Sequence, residues 1–284
     1  MKTSADFSMT KYEDQQTKEI ANWKADEPWE VSKALGLIVE PAAWLVQKIV
    51  PGKAMRGAIE AASSGGKWLA DEKDIMRDGG VSSIEDLQEK DLELSDNLAN
   101  TVHNWAIGAA VVEGTATGWN PLGLIPDIPA LITLAFRTIH KIGLCYGYRA
   151  KTEDDKDFVL GVMSAAGANT VEEKMAALVV LRQVEVMIAK KSWRKMAKIA
   201  AAKKLSKEGA VVTIRQLAKQ LGVNITKRKA LAVIPIIGAV VGGSMNGWYI
   251  KDVGWAARRA FQERWLIDNK KIVDIPPVPK QKGD

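Results

Sequence analysis

Five side chains carry chemistry into apolar company: Glu113, Asp127, Arg137, Tyr146 and Asn246. Between Trp105 and Tyr148 the charged or histidine side chains are Glu113, Asp127, Arg137, His140 and Lys141. Arg137 falls inside the apolar run LAFRTI, Leu134 to Ile139. An arginine there needs a partner, because an unpaired buried charge is strongly destabilising. Glu113, Asp127 or a carboxylate elsewhere in the chain could serve. Grouped with Tyr146 and Asn246 around one concave site, these residues could bind a polar ligand or support hydrolysis of a lipid or peptide. A purely structural ion pair would use the same residues. Asp127 has a further reading as a helix N-cap. It precedes Ile128-Pro129, and a carboxylate just before a helix with Pro in second position accepts free backbone N–H groups. No residue is assigned as catalytic.

Other chemistries lack their residues. His103 and His140 are far apart, and neither an HExxH nor a Cys/His cluster accompanies them. The chain is expected to hold no metal and no cofactor. Gly65-Gly66-Lys67-Trp68 lacks the hydroxyl and spacing of a phosphate-binding loop. Gly242 to Asn246, GGSMN, is a poor nucleophile elbow, ending in Asn and following no strand. The acidic run Glu153 to Asp157 lacks calcium-loop spacing and reads as a helix start. Cys145 is the only cysteine, so no disulfide forms within the chain, and a reducing, cytoplasmic setting fits best. The polar N-terminus shows no apolar signal region.

Charge points to a setting instead of a reaction. Lys190 to Lys229 holds thirteen Lys or Arg and one acid, Glu208, in a chain of net charge +6. The candidate anion-binding face comprises Lys190, Lys191, Arg194, Lys195, Lys198, Lys203, Lys204, Lys227, Arg228 and Lys229. Ala230 to Ile250 follows with no charged residue in 21 positions. Basic residues beside an apolar segment suit an anionic membrane surface, although a soluble helical core can look similar. Gly238 with Gly242, and Gly243 with Gly247, form two GxxxG pairs that allow close helix packing. The segment is long enough to span a bilayer, but Pro235, Ser244, Asn246 and the glycines weaken its hydropathy. A buried hairpin or kinked helix is preferred, with reversible insertion next. Thr213 to Leu231 resembles a DNA-binding helix-turn-helix. Its second helix runs straight into the apolar segment, so nucleic acid is disfavoured. Ten Trp against four Phe and four Tyr suits rings set at polar–apolar boundaries.

Helices must position these groups. Ser82 with Glu85 and Thr170 with Glu173 read as capping boxes, and Thr152 with Asp155 as a looser one. Ile84, Leu87, Leu94, Leu98, Val102 and Trp105 recur at helical spacing, predicting one helix from about 84 to the 110s. Val171 to Ala202 reads as a second long helix, and Gly114 to Gly123 as a break between two apolar ones. Alternating β patterns are nearly absent. The predicted fold is all-α: one bundle-like domain over 19–270, a flexible tail over 1–18 and an extended tail over 271–284.

Several of these pieces together resemble the EcsC protein family. They are EGTATG (Glu113 to Gly118), LIPDIPALITLAFRTI (Leu124 to Ile139), CYGY (Cys145 to Tyr148) and NITKRKALAVIPIIGAVVGGSMN (Asn224 to Asn246). The resemblance covers roughly residues 20 to 270. It implies a helical bacterial protein near membranes and supplies no catalytic mechanism. The leading expectation is a non-enzymatic cytoplasmic protein, peripheral to an anionic membrane surface or a membrane complex. The alternatives are a soluble module docking an acidic protein partner, and a hydrolase centred on Asp127 and Arg137.

Overall fold

The computed structural model describes residues 8–26, 72–117, 124–150, 152–168, 173–182, 184–185 and 235–272. Side chains of 113–130, 153, 154, 156 and 235–246 lie outside that description, as does the whole basic segment 190–229. Every regular element among the described residues is helical, as predicted.

Helix α1 spans Lys11–Ala25 and starts from a complete capping box. Thr10 Oγ1 accepts from the Glu13 N–H at 3.1 Å, and Glu13 Oε2 accepts from the Thr10 N–H at 2.6 Å. Two otherwise orphaned donors are satisfied, and Glu13 and Asp14 favour the positive helix end. Residues 11–18, expected in a flexible tail, are helical because the cap starts a helix at Lys11.

Helix α2, Glu72–Gly79, leads into a 3-10 segment, Ile84–Glu89, and then into α3, Leu92–Thr117. The predicted single helix from 84 is thus split. Lys90 adopts an extended conformation and its N–H closes onto Leu87 O at 3.2 Å, which ends the tighter helix before α3 begins. The cap lies one residue later than expected, with Ser83 and Asp86 as its members.

Helix α4, Leu124–Cys145, begins three residues before Asp127. Asp127 therefore lies inside the first turn and does not precede the helix. Pro126 fits there because first-turn N–H groups have no intrahelical acceptor. Helix α5, Glu153–Ala166, has the full Thr152–Asp155 capping box. A further helical segment runs from 173 to 182. Helix α6, Pro235–Asp268, is one continuous helix of 34 residues and carries all four GxxxG glycines. Among the described residues, no helix is long and apolar enough to cross a membrane.

Helices α3 and α6 run antiparallel along one another. Asp96 meets Gln262, Asn100 meets Arg258, His103 meets Lys251, and Val111 meets Gly247. Glycine permits the closest of these approaches: a Cβ on Gly254 would collide with the His103 ring. Helix α4 packs beside both. Its Gly143 and the turn residues Tyr146 and Tyr148 surround Phe261, with ring centroids at 6.2 and 5.8 Å. Phe158 of α5 completes the cluster at 5.0 Å. Gly147, at φ +86°, turns the chain out of α4 while its carbonyl accepts from Gln88 Nε2 at 2.6 Å.

Candidate functional site

The densest polar cluster joins α1, α3, α6 and the turn after α4. Its centre is Asp96, 2% exposed. Tyr12 Oη donates to Asp96 at 2.6 Å, Gln262 Nε2 donates to both of its oxygens at 2.8 Å, and Tyr146 Oη donates as well. Gln16 Oε1 accepts from Gln262 at 3.1 Å and from Arg259 at 2.8 Å. Arg259 also donates to Gln262 Oε1 at 2.9 Å and to Glu19. Tyr12, Gln16 and Glu19 share one face of α1 by their spacing. Arg259 and Gln262 do the same on α6.

Burial and the neighbouring Asp96 carboxylate push the Tyr12 and Tyr146 hydroxyls far above ordinary phenol values. Neither ionises near neutral pH, so neither acts as a base or nucleophile there. Donors and acceptors in this seam satisfy each other across four segments. The arrangement clasps α1 to the α3–α6 pair, and a buried polar network this well matched specifies a single packing.

A second polar cluster lines a small cleft of about 220 Å³, its open mouth included. His140, Tyr148, Arg149, Asp155, Phe158 and Arg264 border it. Arg264 lies 3.4 Å from Asp155 and stacks over Tyr148, 4.1 Å from the ring centroid. Tyr148 Oη donates to Asp268 at 2.9 Å. Burial lowers the His140 pKa to about 4, against the pull of Asp155, so the ring is neutral at physiological pH. Arg149 is held by Glu72 at 2.8 Å and by Glu85. Among the described residues, no three His, Cys, Asp or Glu side chains stand close enough to hold a metal ion.

A third feature is apolar. Trp105 is 55% exposed, Val112 71% and Trp248 39%, and Val111 beside Gly247 is exposed as well. Arg137 and Lys141 of α4 stand over the Trp105 ring, at 5.6 and 5.7 Å. Lys251, one turn along α6 from Trp248, is exposed. Beyond this level the three central helices become nearly charge-free. In 107–117, 124–136 and 235–250 only Glu113 and Asp127 are charged. The packing of α4 and α6 against α3 gathers these stretches at one end of the three described helices, opposite the Asp96 seam.

The residues singled out from sequence go to different places. Tyr146 joins the Asp96 seam, whereas Arg137 stands over Trp105, about 13 Å away along the α4 axis by helical rise. Glu113, Asp127 and Asn246 lie in helices, with side chains outside the described set. Gly247 is buried against Val111, while Gly238, Gly242 and Gly243 lie in the first three turns of α6. Sequence reading passed over Asp96, Gln262 and Arg259. Their signal was register: Asp96 shares a helical face with Leu92, Ala99, His103 and Ala106, all buried.

Comparison with known proteins agrees with the sequence motifs. The model of the EcsC protein family matches residues 14–266. The Bacillus subtilis (strain 168) protein described as uncharacterized protein YdbA is 22% identical over 271 residues, covering 90% of this chain and 94% of that protein. No solved structure matches significantly.

Proposed function

The chain belongs to the EcsC protein family, and from that premise we propose that it is a non-enzymatic protein held peripherally at an anionic membrane surface. The observation that carries this reading is the distribution of charge. Thirteen Lys or Arg in Lys190 to Lys229 run directly into Ala230 to Ile250, which has no charge. The apolar stretch feeds α6, whose opening turns share the charge-poor end with α3 and α4. In this reading the basic segment supplies attraction to anionic headgroups, about 1 kcal/mol for each well-placed cation. The apolar end adds burial of exposed surface against lipid. The cytoplasmic face of a membrane, alone or beside a transporter-like complex, is the setting such chemistry fits.

The test is charge reversal in full-length protein. K191E, K195E and K198E together should weaken binding to anionic vesicles about 100-fold or more at low salt, since six units of charge change near the surface. The salt dependence of what binding remains should flatten. Vesicle affinity equal to that of the unaltered protein would remove the electrostatic part of the proposal.

A further inference from the structure

We propose that the outer face of α3, with the adjoining turn of α6, is the surface that seats in the lipid headgroup layer. This rests on the peripheral-membrane reading above and gives it an orientation. Going outward along α3, Trp105, Gly108, Val111 and Val112 are all exposed and none is charged. Gly247 packs on Val111, which brings exposed Trp248 alongside. Trp105 and Val112 are seven residues apart, two turns on one face.

The occupant follows from the rim. Arg137 and Lys141 stand at the Trp105 ring, and exposed Lys251 follows Trp248 by one turn. Asp252, the acid next to Lys251, is half-buried and engaged in an interaction of its own. An apolar patch with indole rings at its edge and cations around it matches a bilayer's layering of acyl chain, interface and phosphate. Exposed Lys251 lays its stem along apolar surface while its head reaches the phosphates, and Arg137 and Lys141, half-buried at the Trp105 ring and engaged in interactions of their own, add positive potential beside it. From Trp105 to the end of α3 is about 18 Å by helical rise, less than the ~30 Å hydrocarbon core, so this face enters one leaflet at most. Seating only 5–10 Å deep leaves the Asp96 seam in water-facing protein.

Environment-sensitive labels test the orientation. Val112→Cys and Asn97→Cys, both at exposed positions of α3, would each carry a nitrobenzoxadiazole dye in the full chain. Cys145 is fully buried and stays in place. Vesicles of phosphatidylglycerol and phosphatidylcholine are added, and sedimentation is followed in parallel. The expected result is a blue shift with about a two-fold or greater rise in emission at 112 and none at 97. Sedimentation with unchanged emission at 112 would overturn this surface while leaving peripheral binding intact. Failure to sediment at all would overturn both. A Trp248→Ser variant that binds as tightly as the unaltered protein would also count against the patch.

Discussion

At the scale of single residues, Asp96 decides how the molecule is clasped. Three donors from α1, α6 and the turn after α4 converge on its carboxylate. Asp96→Ala leaves all three facing a void, and is expected to cost about 3 kcal/mol or more of stability. Tyr12→Phe removes one bond at the seam's edge and should cost about 1 kcal/mol. Urea denaturation of the two variants measures both; equal, small losses would mean that the seam holds nothing together. A second residue effect concerns pH. Glu185 is buried beside Glu263, near Lys24 and Arg182, and burial pushes its pKa up to about 8, the Glu263 charge adding to the effect. The folded state thus holds this proton more tightly than the unfolded chain. Its contribution to stability is present at low pH and fades as pH rises through about 8. Burial lowers the pKa of His103 and of His140 to about 4, so the stability that rests on them being neutral is lost only as pH falls from about 6.5 toward 4. Between pH 6.5 and 8.5, Glu185 therefore sets the slope among these three groups. Tm should fall as pH rises across that window, and Glu185→Gln should abolish the fall; a decline that persists in the variant would assign it elsewhere. Residue roles were only partly legible in sequence. Arg137 announced itself by its apolar neighbours, yet its ring partner, Trp105, gave no pairing signal. Asp96 sits in the polar stretch ELSDN, which reads as surface until its register with Leu92 and Ala99 is considered.

At the scale of elements, periodicity and capping made the all-helical class and the start of α5 legible, whereas the start of α1 and the continuity of α6 were not read from the sequence. The capping boxes at Thr10 and Thr152 each put the first turn where side-chain oxygens meet orphaned N–H groups. The division of the predicted helix at Lys90 was hidden, because the apolar spacing continues across it while the backbone does not. Packing between α3 and α6 depends on glycine at the crossing, which no pattern of hydrophobicity reveals. Gly254→Ala would drive a methyl into the buried His103 ring and separate the two helices locally. The expected loss is about 1–3 kcal/mol, typical of overpacking a filled core. Thermal denaturation checks it; a Tm equal to that of the unaltered protein would mean that the pair is less tightly engaged than its geometry states. The run of four glycines in α6 suggested a kink or hairpin, yet α6 continues through them unbroken. Glycine lowers helix propensity by up to about 1 kcal/mol per residue relative to Ala, and packing beside α3 and α4 outweighs that.

At the scale of the whole molecule, the axis shared by the described helices α3, α4 and α6 separates two kinds of chemistry. One end is a seam of matched polar groups that fixes α1 in place. The other is charge-poor in sequence, with exposed indoles at its border and cations beside them. A family identity and an all-helical core were both readable from motifs and periodicity. The axial separation was not, since it arises only when α4 and α6 are both laid antiparallel to α3. Above all, we propose that charge draws this protein to anionic lipid. The most direct test is sedimentation of the purified full chain with anionic and with neutral vesicles over a salt series. Binding to anionic vesicles is expected to weaken steeply from about 50 to about 500 mM salt as screening shortens the reach of the charges, with little binding to neutral ones. Absence of binding to anionic vesicles at low salt would contradict it.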